Sequence, residues 1–240
     1  MTPTLHRPHP YDQDAGTHAS TLNTLRAAVL GANDGIISTA GLVMGVAGAT
    51  TNTAALATAG IAGLVSGALS MAVGEYVSVS AQRDSERALL AKEQRELDTM
   101  PEEELEELAR LLRGKGLSER VAQEAARELT EHDALGAHAD IELRLDPDDL
   151  TSPTAAAVSS LFAFALGALI PLLAMVLTPP ATRVAVTVVA VLVALFLTGF
   201  LSARAGNAPV ARAIVRNVVG GILAMGITFA IGTLVGTQIG

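Results

Sequence analysis

Five stretches of this chain are each as long as a bilayer is thick and almost free of charge. They run over 27–49, 54–79, 155–177, 184–203 and 217–239. The hydrocarbon core of a bilayer takes about 20 apolar residues as a helix, and a strand crossing it needs only about half as many. Inside lipid the backbone must also satisfy its own polar groups. The pattern therefore predicts an all-α membrane protein with five transmembrane helices. Only Asp34 interrupts the first stretch with a charge, and only Glu75 the second.

Composition narrows the function. Half of the residues are hydrophobic, 17% are charged and the mean hydropathy is +0.43, which disfavours a soluble enzyme and excludes a disordered chain. There is no Cys, so disulfides, iron–sulfur clusters and thiolate zinc sites are excluded. Aromatics are 3% and the net charge is −8, the wrong equipment for stacking on bases or holding phosphates, so no nucleic-acid partner is expected. Nucleotide-binding, nucleophile-elbow and His-Glu-x-x-His patterns are absent, and neither an enzyme nor a prosthetic group is implied.

The charge is concentrated. Of 24 acidic residues, 20 lie between Asp84 and Asp149. That region reads as three amphipathic helices. The first continues from the second span with no Gly or Pro to stop it. The second opens on Pro101, carries its acids in the first turn and ends at Gly114 or Gly116. The third, over 118–145, opens on Ser118. The chain thus divides into a polar tail (1–24), spans one and two (25–80), a carboxylate-rich helical domain (81–150) and spans three to five (151–240). The tail reads as disordered or, with His6, His9 and His18, as a metal-collecting arm. Residues 203–216 read as the loop before the fifth span. If the N-terminus is cytoplasmic, 15 of the 16 Lys and Arg fall inside and only Arg183 outside. The positive-inside rule therefore puts the charged domain in the cytoplasm and the C-terminus outside. Four glycine pairs, Gly31/Gly35, Gly41/Gly45, Gly63/Gly67 and Gly232/Gly236, have the spacing that lets membrane helices approach closely, without saying which helices meet.

An ionisable side chain at mid-bilayer costs at least about 2.5 kcal/mol, so Asp34 and Glu75 are functional candidates by default. Met71, Glu75, Ser78 and Gln82 fall on one helical stripe, and a carboxylate beside a thioether suits a borderline transition metal better than Mg²⁺ or Ca²⁺. The competing readings are plain: Asp34 as a protonated interhelical hydrogen-bonding acid, Glu75 as a solvated interfacial one, Met71 as core filler. In the acidic domain Glu93/Glu96 and Glu104/Glu107 are i, i+3 pairs, and Glu142 has His138 one turn before it. Like charges at that spacing repel, so a cation between facing pairs would relieve a cost. The alternative is a solvated face. The Glu-x-x-His pattern of ferritin-like di-iron sites is absent, which disfavours an iron-oxidising enzyme.

Several segments carry a family resemblance. LRAAVLGANDGIISTAGLVMGVAGA (25–49) and GLVSGALSMAVGEYVSVSAQRDSE (63–86) closely resemble the first two spans of the vacuolar iron transporter family, and SLFAFALGALIPLL (160–173) and the segment 204–236 resemble later ones. The resemblance, closer to bacterial members, implies a homodimer with its translocation path at the dimer interface. It implies exchange of cytosolic Fe²⁺, or Mn²⁺ in some members, for protons, and a cytoplasmic metal-binding domain between spans two and three. By motif, Asp34 matches the pathway aspartate, Met71 the pathway methionine, and Glu75 lies in the same Gly-Glu-Tyr block. Glu93, Glu96, Glu104 and Glu107 fall where the domain's metal-binding glutamates are expected, with Glu142 a fifth. The methionines expected near the fifth are replaced by His138 and Ala139, and Phe229 stands where related sequences often carry Tyr. The implied setting is a bacterial cell membrane, with Fe²⁺ or another divalent metal as substrate and bound ion.

Overall fold

The computed structural model describes residues 14–147 and 150–239. Among them are seven α-helices and one π-helical turn. The helices are α1 (Asp14–Ala49), α2 (Thr53–Thr99), α3 (Pro101–Gly114), α4 (Glu119–His138), α5 (Pro153–Leu177), α6 (Arg183–Ala205) and α7 (Val210–Ile239), and the π-turn (Ala139–Leu143) follows α4. Five of them, α1 from Thr24 onward, α2, α5, α6 and α7, are long and apolar enough to cross a membrane. The molecule is a membrane protein. Large exposed apolar side chains such as Leu166, Leu177 and Leu234 are the surface that lipid, not water, would cover.

Local chemistry sets the helix ends. Asn52 caps α2, its Oδ1 accepting from the Ala54 and Ala55 amides at 2.9 and 3.2 Å. Helix α2 then runs for 47 residues, about 70 Å at 1.5 Å per residue, so a bilayer core accounts for less than half of it. Pro101 takes the first position of α3, where its missing N–H costs nothing. The helix ends at Gly114 and is closed off by Gly116, whose φ of 101° suits glycine; the Leu117 amide donates to the Leu112 carbonyl and the Gly116 amide to that of Arg113. Asn207, at φ 48°, closes α6 in the same way, with the Ala208 amide donating to Ala203 at 2.9 Å.

Three expectations need correction. Helix α1 begins at Asp14, so part of the segment read as a disordered tail is helical; 1–13, with His6 and His9, lie outside the described residues. No proline falls between Asp14 and the first span to break that helix. The loop read over 203–216 shrinks to 206–209, because Pro209 starts a new helix at once, and Arg212 and Arg216 ride on the first turns of α7. The single helix read over 118–145 breaks at Asp133, where the backbone is extended at φ −160° and ψ 94°. There Asp133 Oδ1 accepts from the Gly136 amide at 3.0 Å, which makes it the N-cap of a short second piece. Ser118 does hold the N-cap position of α4, with extended backbone but no side-chain hydrogen bond.

The chain forms two compact units. One comprises 24–77 and 154 onward. Its core is Ile36, Ala40, Val43 and Met44 of α1 against Leu56, Met175, Val191, Leu195 and Met225 from the other four spans, so α1 is the central helix. Glycines let it approach its neighbours. A Cβ on Gly35 would lie 2.2 Å from the Phe164 carbonyl oxygen of α5, and one on Gly232 of α7 would lie 1.8 Å from that of Gly45. Arg183, 4% exposed, donates to the Thr51 carbonyl at 3.3 Å and to Thr53 Oγ1 at 3.0 Å, tying the start of α6 to the α1–α2 turn. The other unit contains 78–153 and holds a separate small core of Leu108, Ala109, Leu112, Ala122 and Ala126, where α3 packs on α4.

Candidate functional site

Asp34, Met71 and Glu75 line one cleft. It has a volume of about 500 Å³ and is walled by α1, α2 and Phe164 of α5, with Ser38, Ser66 and Ser70 adding hydroxyls. The lone acids of two consecutive spans and the thioether beside one of them therefore share a single space. Helix geometry accounts for this: Met71 and Glu75 are one turn apart, and Gly63 and Gly67 let the Leu42 and Phe164 side chains close against α2. Ser38 Oγ donates to the Asp34 backbone carbonyl at 2.7 Å, which leaves the carboxylate to the cleft. Asn33, beside it in sequence, turns to α6, where Thr198 Oγ1 donates to its Oδ1 at 3.5 Å. Glu75 is not solvated. It is 8% exposed and accepts from Arg26 Nη2 at 2.9 Å. Of the stripe on α2, Ser78 and Gln82 do not line the cleft; Gln82 Nε2 donates to Glu86 at 2.8 Å.

The other unit holds a second constellation. Glu93, Glu104 and His138 are all buried and each offers a ligand atom within 4.8 Å of the others. His138 Nδ1 lies 2.8 Å from Glu93 Oε1, 3.8 Å from Glu104 Oε2 and 3.4 Å from Glu142 Oε2. The contact with Glu93 is short in distance but not aligned as a hydrogen bond, so Glu93 Oε1 is buried without a donor, and His138 Nε2 is buried without a partner. Burial pushes the Glu93 carboxyl above the usual carboxylate range, Glu142 pushes it further, and His138 pulls the other way. Burial likewise raises Glu104, with His138 opposing. Three carboxylates around one imidazole, two of them deeply buried, form a site that a cation would complete. Imidazole with carboxylates suits Fe²⁺ and its neighbours, and carboxylates alone would suit Mn²⁺ or Mg²⁺.

Glu96 and Glu107 stand apart from this centre. Each already has a cation on its own helix: Lys92 Nζ lies 2.5 Å from Glu96 Oε2, and Arg110 pairs with Glu107. They add negative potential nearby, since both raise Glu104.

A family model matches this chain from residue 25 to 233, the model described as the VIT family. The chain belongs to the VIT family. Its relatives include the vacuolar iron transporter of Acanthamoeba castellanii, 41% identical over 225 residues, which cover 92% of this chain and 83% of the relative. Vacuolar iron transporter homolog 4 of Arabidopsis thaliana is 38% identical, covering 89% and 85%. Vacuolar iron transporter homolog 1 of Oryza sativa subsp. japonica is 38% identical, covering 95% and 80%.

In this VIT-family chain, two residues that the sequence did not single out as site residues stand at the sites. His138 is the hub of the acidic cluster, and Arg26 holds Glu75. The signal for His138 was its position one turn before Glu142. For Arg26 there was none, since a basic residue at the edge of a span ordinarily reads only as an orientation marker.

Proposed function

We propose that this chain is a carrier, not an enzyme, that moves a divalent transition metal, Fe²⁺ foremost, out of the cytoplasm in exchange for protons. One observation carries this reading: Asp34, Met71 and Glu75 converge on a single cleft among spans. Two acids facing a shared space in lipid are costly without a cation to neutralise them. The steps follow from the chemistry. The acidic domain, on the cytoplasmic side by the Lys and Arg distribution, concentrates metal at Glu93, Glu104, His138 and Glu142, with Glu96 and Glu107 adding negative potential. The ion passes to Glu75 and Met71 and then to Asp34. Protons arriving from the far side compete for the same carboxylates and release it. The names of the relatives above support iron as cargo, and the His138 nitrogen favours Fe²⁺ over Mn²⁺.

Other parts of the reading have their own support. Ser66, Ser70 and Gly74 form an exposed small and polar stripe on α2, an unsuitable face for lipid and a suitable one for a second copy, which supports a homodimer with the cleft at its interface. The resemblance to bacterial members supports a bacterial cell membrane, and the Lys and Arg distribution supports a cytoplasmic N-terminus with the C-terminus outside. A rival reading, a membrane-tethered metal buffer or ferroxidase, draws on the buried Glu93–Glu104–His138 centre alone.

The deciding experiment is Fe²⁺ and Mn²⁺ uptake into proteoliposomes by wild type and Asp34→Ala. Loss of uptake in a folded Asp34→Ala protein, with Fe²⁺ preferred by wild type, is expected. Wild-type rates in that variant would remove Asp34 from the path. Metal binding without any flux would favour the buffer.

A further inference from the structure

We propose that Arg26 is a tethered cation that occupies Glu75 of the cleft, and that a divalent ion enters by displacing it. This rests on the reading of the cleft as a metal path. The pair is asymmetric. The Glu75 side chain is 9% exposed and lines the cleft, whereas the Arg26 side chain is 57% exposed and does not line it. Arg26 Nη2 reaches in to Glu75 Oε1 at 2.9 Å from a position 49 residues away in sequence. Among the described lining residues there is no Lys or Arg, and the acids are Asp34 and Glu75. The guanidinium thus takes, from outside the lining, the charge contact on Glu75 that a cargo cation would need.

The exchange is chemically reasonable. A buried carboxylate stripped of its partner is strongly unfavourable, so Glu75, once it has given up a proton, needs a cation until the metal arrives. Arg26 supplies it when the cleft is empty. A guanidinium brings one positive charge to one carboxylate. A divalent ion brings two, and can take the Met71 thioether, one turn away on α2, as a second ligand. Displaced, the Arg26 head, more than half exposed on a flexible stem, has solvent to move into. A monovalent ion offers no gain in charge over the guanidinium, so the same contact discriminates against it. When the metal leaves toward Asp34, Arg26 returns to Glu75 and competes with its rebinding there. Arg26 is thus a positioning residue that acts through Glu75.

The absence of native cysteine makes the test clean. Arg26→Cys gives the protein one thiol, which can be left bare, capped with the neutral methyl methanethiosulfonate, or given back a positive charge with its ethylammonium counterpart. The full chain is reconstituted in each form and Fe²⁺ uptake is measured over a range of concentrations. The bare and neutrally capped forms are expected to show a KM lowered about threefold or more, as loss of a half-exposed competing ion pair allows, with kcat within twofold of wild type. The ethylammonium form and Arg26→Lys are expected to return KM to the wild-type value. Should the cysteine variant fold poorly, Arg26→Gln carries the same expectation on KM. A KM indifferent to charge at position 26 overturns the displacement while leaving the path intact. A wild type that carries no Fe²⁺ removes the path and the displacement with it.

Discussion

Burying a glutamate is unfavourable unless something pairs with it, and Glu93 and Glu104 are both buried around a single imidazole. Their carboxyls titrate above the usual carboxylate range, chiefly because burial disfavours the charged form. A group whose folded pKa is raised contributes stability below its unfolded pKa, and that contribution is lost as pH rises through the folded one. Metal-free protein should therefore gain from Glu104→Gln at pH 7, and the gain should shrink as the pH falls toward 5. Thermal melts of the full chain in detergent check this; a gap that stays constant with pH would contradict it. With metal the sign reverses, and His138→Ala should weaken Fe²⁺ binding by at least about tenfold, the loss that even an outer partner of a metal ligand commonly brings. Titration calorimetry on the same sample reads that directly. Spacing pointed equally to Glu93, Glu96, Glu104 and Glu107, of which only Glu93 and Glu104 gather at the imidazole, and isolation in apolar sequence pointed to Asp34 and Glu75. His138 was not legible as a hub. The break at Asp133 and the π-turn after His138 set how it presents itself to Glu93 and Glu104, and neither follows from a regular 3.6-residue period.

The helices themselves were read more easily than their partners. Five apolar runs marked the spans, Pro101 opens α3, and of the two glycines offered for its end Gly114 is the last helical residue and Gly116 takes the left-handed turn after it. The start of α7 was misplaced because Arg212 and Arg216 look like loop residues when hydropathy alone is followed. The glycine pairs announced close approach without naming a neighbour, since a missing side chain specifies nearness and nothing more. The structure supplies the neighbours: Gly31 and Gly35 meet α5, and Gly45 and Gly232 bring α1 to α7. A methyl group at Gly35 must push two backbones apart, so Gly35→Ala should lower stability by about 1–3 kcal/mol. Gly226→Ala, with no atom within 4 Å of its would-be Cβ, should melt at or above the wild-type temperature. Equal melting temperatures for the two variants would contradict the α1–α5 contact.

The proposed orientation rests on charge asymmetry along the chain. Arg183 is the one basic residue assigned to the far side, and it is buried against Thr51 and Thr53, not left in a loop. Cysteines placed at Ser118 and at Ala181, both exposed, should react with a membrane-impermeant thiol reagent from opposite sides of intact cells. Labelling of both from one side would overturn the topology. What the whole protein does with that topology comes down to coupled flux. Proteoliposomes in which the acidic domain faces the bath should take up Fe²⁺ when their lumen is acidic, and the lumen should lose protons as the metal enters. Fe²⁺ uptake that ignores the imposed pH difference, or a lumen whose pH does not move while iron accumulates, would contradict exchange at Asp34 and Glu75.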